Sequence, residues 1–168
     1  MALSKPNFPV IGVSWEDAMA FCRWLSLRTG EHYTLPTEAQ WELAARGPGS
    51  QHTLYPWGDD PDPTRANVKS GALQPVGSYP TGASAFGVED LAGNAWEWVG
   101  DYFAPYRDFV PSVTASDETS PLVDPTGPTQ GDAFLVRGGS YDNDWVKARS
   151  TSRLTILERW RTELDVGF

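Results

Sequence analysis

The chain has 168 residues, 40% hydrophobic and 21% charged, a balance that suits one compact domain with its own core. A formal net charge of -9 excludes a nucleic-acid groove and an anionic membrane surface, where like charge repels the encounter, and favours cations such as Ca²⁺ as companions. A single cysteine excludes an internal disulfide and points to a reducing, cytoplasmic setting; without a 20-residue apolar run or a signal-peptide core in MALSKPNF, the chain reads as soluble.

The first helix is predicted from Ser14 to Gly30. Ser14 caps it, Asp17 stands where an acid returns a bond, and Gly30 offers a stop. Trp15, Ala18, Met19, Cys22 and Leu25 recur at helical spacing on one face, which makes Cys22 a small core residue. His32 to Leu35 leaves room only for a brief strand or an extended link. A second capping box, Thr37-Glu38-Ala39-Gln40 after Pro36, opens another helix that runs to Arg46-Gly47.

Between residues 48 and 85 Gly, Pro, Asp and Ser dominate, with Tyr55-Pro56-Trp57-Gly58 and Val76-Gly77-Ser78-Tyr79-Pro80 as apolar islands. Eight tryptophans in a chain with 16 glycines and 14 prolines predict ordered loops pinned by aromatic anchors. The stretch 108–130 reads as a mobile excursion, and Phe134–Arg137 and Asp165–Phe168 as short strands.

Five blocks then fall in a recognisable order: Val13-Ser14-Trp15 with Phe21-Cys22-Arg23-Trp24-Leu25; Leu35-Pro36-Thr37-Glu38-Ala39-Gln40-Trp41-Glu42; Tyr55-Pro56-Trp57-Gly58; Leu91-Ala92-Gly93-Asn94-Ala95-Trp96-Glu97-Trp98; and Val136-Arg137-Gly138-Gly139-Ser140-Tyr141. Together they resemble the formylglycine-generating enzyme / sulfatase-modifying factor superfamily. The resemblance implies an α+β, C-type lectin-like fold with two short helices, short antiparallel strands and much irregular loop. It implies a single domain over 1–168 that lacks the family's N-terminal part.

In the catalytic members of that superfamily, two cysteines beyond the Gly-Gly-Ser turn bind copper(I) and activate oxygen. Counting three and eight residues beyond Ser140 reaches Asn143 and Ala148, neither of which supplies a soft thiolate, so no copper is expected. Cys22 has no second thiol to pair with. His32 and His52 lie in different segments and read as surface residues, and Ser140 has no histidine placed as its base.

The resemblance also implies a calcium site at the Gly-Asn-Ala-Trp-Glu turn, with side-chain oxygens of Asp90 and Glu97 and the carbonyls of Gly93 and Ala95 as hard donors. A possible second metal site begins at Asn67 and the carbonyl of Val68, but the acidic loop that completes it in relatives is absent here. Trp41, Trp57, Trp96 and Trp98 are assigned to core packing rather than to a sugar platform.

These readings favour a non-catalytic module that recognises a protein or small-molecule ligand through the segment 141–165. Its candidate ligand-binding residues are Tyr141, Asp142, Asn143, Asp144, Trp145, Lys147, Arg149, Arg153, Arg159, Trp160 and Arg161. Leu154, Ile156, Leu157 and Trp160 can alternatively close the core. Variable proteins of diversity-generating retroelements resemble this domain and place their contacts in the same region, which makes this chain a candidate for one. The rival class is an oxidoreductase or biosynthetic accessory enzyme using Ser140, Asp142, Asn143, Asp144 and Arg149.

Overall fold

The computed structural model describes residues 7–48, 53–106, 125–156 and 165–168. Helix α1 spans Trp15–Thr29, and its capping box closes as the sequence predicts: the Asp17 N–H donates to Ser14 Oγ at 3.1 Å, and the Ser14 N–H donates to Asp17 Oδ2 at 3.0 Å. Gly30 ends the helix at φ 81°, donating its N–H to the Ser26 carbonyl at 2.9 Å. Helix α2 spans Glu38–Arg46 with the reciprocal pair Thr37 and Gln40, and Gly47 follows. Between the helices the chain is an extended link with His32 exposed, not a strand.

Strands β1 (Trp96–Tyr102), β2 (Phe134–Arg137), β3 (Leu154–Ile156) and β4 (Val166–Gly167) form one sheet in the order β3-β2-β1-β4. The α+β class and the lectin-like mixture of short elements and loop are therefore as expected. Two ladders are antiparallel, with Glu97 opposite Arg137 and Leu135 opposite Thr155. The third, β1 with β4, is parallel, a pairing the sequence pattern does not announce.

The largest buried cluster joins Ala18 and Cys22 of α1 to Leu35, Trp96, Trp98, Phe134, Val136, Ile156 and Val166. Indole hydrogen bonds fix the helix on the sheet: Trp15 Nε1 donates to the Val99 carbonyl at 2.9 Å and Trp98 Nε1 to the Val13 carbonyl at 3.0 Å. Trp41, Trp96 and Trp98 are buried and Trp57 half-buried, in keeping with their core assignment. Cys22 is buried as anticipated, and that burial pushes its thiol up from the ordinary range.

Most of the stretch 108–130 lies outside the described residues. Its end does not wander: the Gly127 N–H donates to Asp101 Oδ1 at 2.8 Å and the Tyr102 N–H to the Pro128 carbonyl at 3.2 Å. Among the described residues, no helix is long and apolar enough to cross a membrane.

Candidate functional site

The Gly93-Asn94-Ala95 turn enters β1 and is bound from several sides. Gly93 (φ 77°) forms a parallel bridge with Asn67, and a Cβ there would stand 2.4 Å from the Asn67 carbonyl oxygen, so only glycine fits. Asn94, at φ 65° and buried, donates its N–H to the Asn67 carbonyl (2.9 Å) and its Nδ2 to the Gln74 carbonyl (3.2 Å). Its Oδ1 accepts from Asn67 Nδ2 at 2.9 Å and from the Gln74 N–H at 3.0 Å. The Asn94 carbonyl accepts from the Tyr141 N–H at 3.0 Å, and the Gly93 N–H donates to the Gly138 carbonyl at 2.8 Å. One turn thus anchors both the 67–74 loop and the start of the 141–149 segment.

Asp90 and Glu97 flank this turn. Glu97 Oε2 accepts from Trp41 Nε1 at 2.7 Å, and Asp90 Oδ2 accepts from the Gly77 N–H at 2.7 Å. Burial pushes the Glu97 carboxyl up to about 7; the Trp41 indole opposes the shift, and the charge of Asp90 adds to it. Gly138, at φ 94°, leaves open the space beside two main-chain oxygens, because a Cβ there would lie 3.6 Å from the Leu91 carbonyl oxygen and 3.9 Å from that of Ala95.

The charge of Asp90 opposes ionisation of Glu97, and two carboxyls in mutual repulsion are donors of the hard-oxygen type that Ca²⁺ takes. Among the described residues no three His, Cys, Asp or Glu side chains gather, so a cation here would have to draw on two carboxylates completed by carbonyl and water oxygens. At the second candidate, Asn67 Oδ1 is buried without a hydrogen-bond partner, whereas its Nδ2 is used on Ala72 and Asn94. Val68 is buried beside it, but the next residue supplies Lys69, ion-paired with Asp144, rather than a carboxylate.

The 141–149 segment is a run of turns with alternating faces. Asp142, Asp144, Val146 and Lys147 are exposed, while Tyr141, Asn143, Trp145 and Arg149 are half-buried. Asn143 Oδ1 accepts from the Ser140 N–H at 3.0 Å, and its own N–H donates to the Ser140 carbonyl at 3.2 Å. Ala148 is fully buried in a cluster with Tyr55, Ala66, Val68 and Ala92. Trp145 packs edge-on against Tyr55 and Trp57, whose rings stack at 5.3 Å.

Further along, Leu154 and Ile156 close the core through β3, and Arg153 turns inward. Its guanidinium lies 2.6 Å from Glu38 Oε1 and over the rings of Phe103 and Tyr106 at 4.9 and 4.2 Å. Leu157, Arg159, Trp160 and Arg161 lie outside the described residues.

Sequence reasoning missed the buried ion network that includes Arg153. Arg137, fully buried, reaches Glu38 Oε1 at 3.0 Å and Glu42 Oε2 at 2.6 Å, donates to the Ser150 carbonyl at 2.7 Å, and lies over the Trp41 ring at 5.1 Å. A signal existed: an arginine inside the apolar run Phe134–Arg137 needs acidic partners, and Glu38 and Glu42 share one face of α2.

The profile of the Sulfatase-modifying factor enzyme 1-like domain matches residues 2–168. A formylglycine-generating enzyme of Streptomyces coelicolor is 42% identical over 156 residues, covering 82% of this chain and 43% of the relative. The chain thus spans less than half the length of that curated relative. PvdO of Pseudomonas aeruginosa superposes with a TM-score of 0.76 at 27% identity, over 99% of this chain and 62% of PvdO. Treponema denticola variable protein 1 superposes with a TM-score of 0.79 over 100% of this chain and 72% of its own; at 22% identity that likeness concerns the fold.

Proposed function

The chain belongs to the sulfatase-modifying factor enzyme 1-like family, and on that premise we propose that it is a non-catalytic, calcium-stabilised recognition module rather than a copper oxidase. One observation carries the reading. The two positions that hold thiolates in catalytic relatives are occupied by Asn143, whose amide braces the Ser140 turn, and Ala148, which fills the core. Neither residue offers a soft ligand, and neither is free to be recruited as one.

The face beside them presents Asp142, Asp144, Val146 and Lys147 on a frame fixed by Asn94 and by the Tyr55, Trp57 and Trp145 rings. Exposed, chemically mixed side chains on a rigid frame suit recognition of a protein or small ligand. The fold shared with a variable protein supports the narrower idea that this surface is diversified. Ca²⁺ held by Asp90, Glu97 and the carbonyls of Gly93 and Ala95 would supply charge neutralisation at the base of the frame. Asp90 and Glu97 would hold the ion, and Asn94, whose carbonyl accepts from the Tyr141 N–H, would pass the order of the turn to the 141–149 segment.

Affinity capture on the immobilised domain, compared with an Asp142→Ala/Asp144→Ala/Lys147→Ala variant, tests recognition. A partner retained by the parent and lost by the variant supports it. Oxygen consumption with Cu(I) and a cysteine-bearing peptide tests the oxidase alternative, which the enzyme relative makes the natural rival. Copper-dependent turnover would overturn the proposal.

A further inference from the structure

The outward side of α1 carries a run of large apolar side chains on an acidic surface. Asp17, Ala20, Phe21, Trp24, Leu27 and Arg28 recur every three or four positions and so lie along one stripe, opposite the buried Ala18 and Cys22. This is the spacing of a helix–helix seam, turned toward solvent. Leu27 is 88% exposed, Trp24 53% and Phe21 43%. Phe21 stands between two other rings, 5.5 Å from Trp24 and 5.2 Å from Phe168, which is itself 39% exposed.

Charge along the stripe selects its occupant. Asp17 marks the N-terminal end and Arg28 the C-terminal end, both exposed. A parallel copy of the helix would set like charge against like. An antiparallel copy, related by a twofold axis passing between Cys22 and Arg23, sets Asp17 opposite Arg28 of the second copy and Phe21 opposite its Trp24. At net charge -9, two copies repel in most orientations, and this one meets with opposite charges.

We propose that this stripe is an isologous interface through which two copies of the chain form a homodimer, with Phe21 and Trp24 of both copies at its centre and Phe168 at its margin. The four large apolar side chains expose on the order of 500 Å² per copy, and with the flanks of the helix the contact approaches the roughly 800 Å² per partner of a standard interface. This inference is independent of the recognition surface.

Sedimentation velocity on the full chain across micromolar to submillimolar concentration tests it. The parent protein should sediment as a dimer that dissociates on dilution. Trp24→Ser with Leu27→Ser should weaken association about a hundredfold or more while leaving the thermal midpoint in place when both proteins are compared at concentrations where the parent is dissociated, because both side chains face solvent in the monomer. Arg28→Glu, at an exposed helical position, should weaken it roughly tenfold at low ionic strength and less at high salt. A parent protein that stays monomeric, or a dimer untouched by the double substitution, would overturn the proposal, as would a monomer that uses this face for a different chain.

Discussion

Replacing Arg137 by methionine leaves the buried carboxylate of Glu38 and the half-buried one of Glu42 short of a partner. Breaking a buried ion pair from one side costs about 3–5 kcal/mol, because the stranded charge keeps its desolvation penalty. Both acids retain a second cation here, Arg153 at 2.6 Å from Glu38 and Arg46 at 2.6 Å from Glu42, so the loss should fall near the lower end, about 3 kcal/mol. At roughly 2–4 °C per kcal/mol for a domain of this size, the thermal midpoint should drop by about 6–12 °C. Arg137→Lys should lie between, since an ammonium cannot reach Glu38, Glu42 and the Ser150 carbonyl in one planar fork. Chemical denaturation followed by tryptophan fluorescence gives the energies, and a cycle with Glu42→Gln gives the coupling. A loss below about 1 kcal/mol together with strict additivity would refute the argument that the network stands on mutual desolvation.

Three other outcomes follow from the candidate site. With chelator present, stability should fall as pH rises from about 4.5 toward 7, because folded Glu97 holds its proton up to about 7 while the unfolded carboxyl releases it near 4.5; the total is about 3 kcal/mol, and Glu97→Gln should remove the slope in denaturation midpoints taken across that range. Ca²⁺ at a hundredfold excess over its dissociation constant should add about 2.7 kcal/mol to the stability of the parent protein, read as a rise of roughly 5–10 °C in thermal midpoint that Asp90→Ala abolishes. Gly93→Ala should cost about 2 kcal/mol or more and erase the Ca²⁺ response, since its methyl would collide with the Asn67 carbonyl; a tolerated alanine, measured by thermal unfolding, contradicts the packing described for the turn.

What the sequence alone determined is what is decided within about one helical turn. Ser14 with Asp17, Thr37 with Gln40, and the stops at Gly30 and Gly47 can be read directly, because each capping bond joins residues three or four apart. The Gly-Asn-Ala-Trp-Glu turn and the loss of both thiolate positions were equally legible, since a named residue type at a named spacing carries them. Only the tertiary structure decided what depends on distant partners. Trp96–Tyr102 is the longest strand, yet its alternation is hidden inside the motif it shares with the turn; its identity as a strand comes from β2 on one side and β4 on the other. Arg153 sits in a segment that looks outward-facing in sequence and is turned inward by Glu38, 115 residues earlier in the chain. Arg137 likewise meets Glu38 across 99 residues, a pairing with no local signature because the cost of burying each charge is offset only when the fold has brought the other to it.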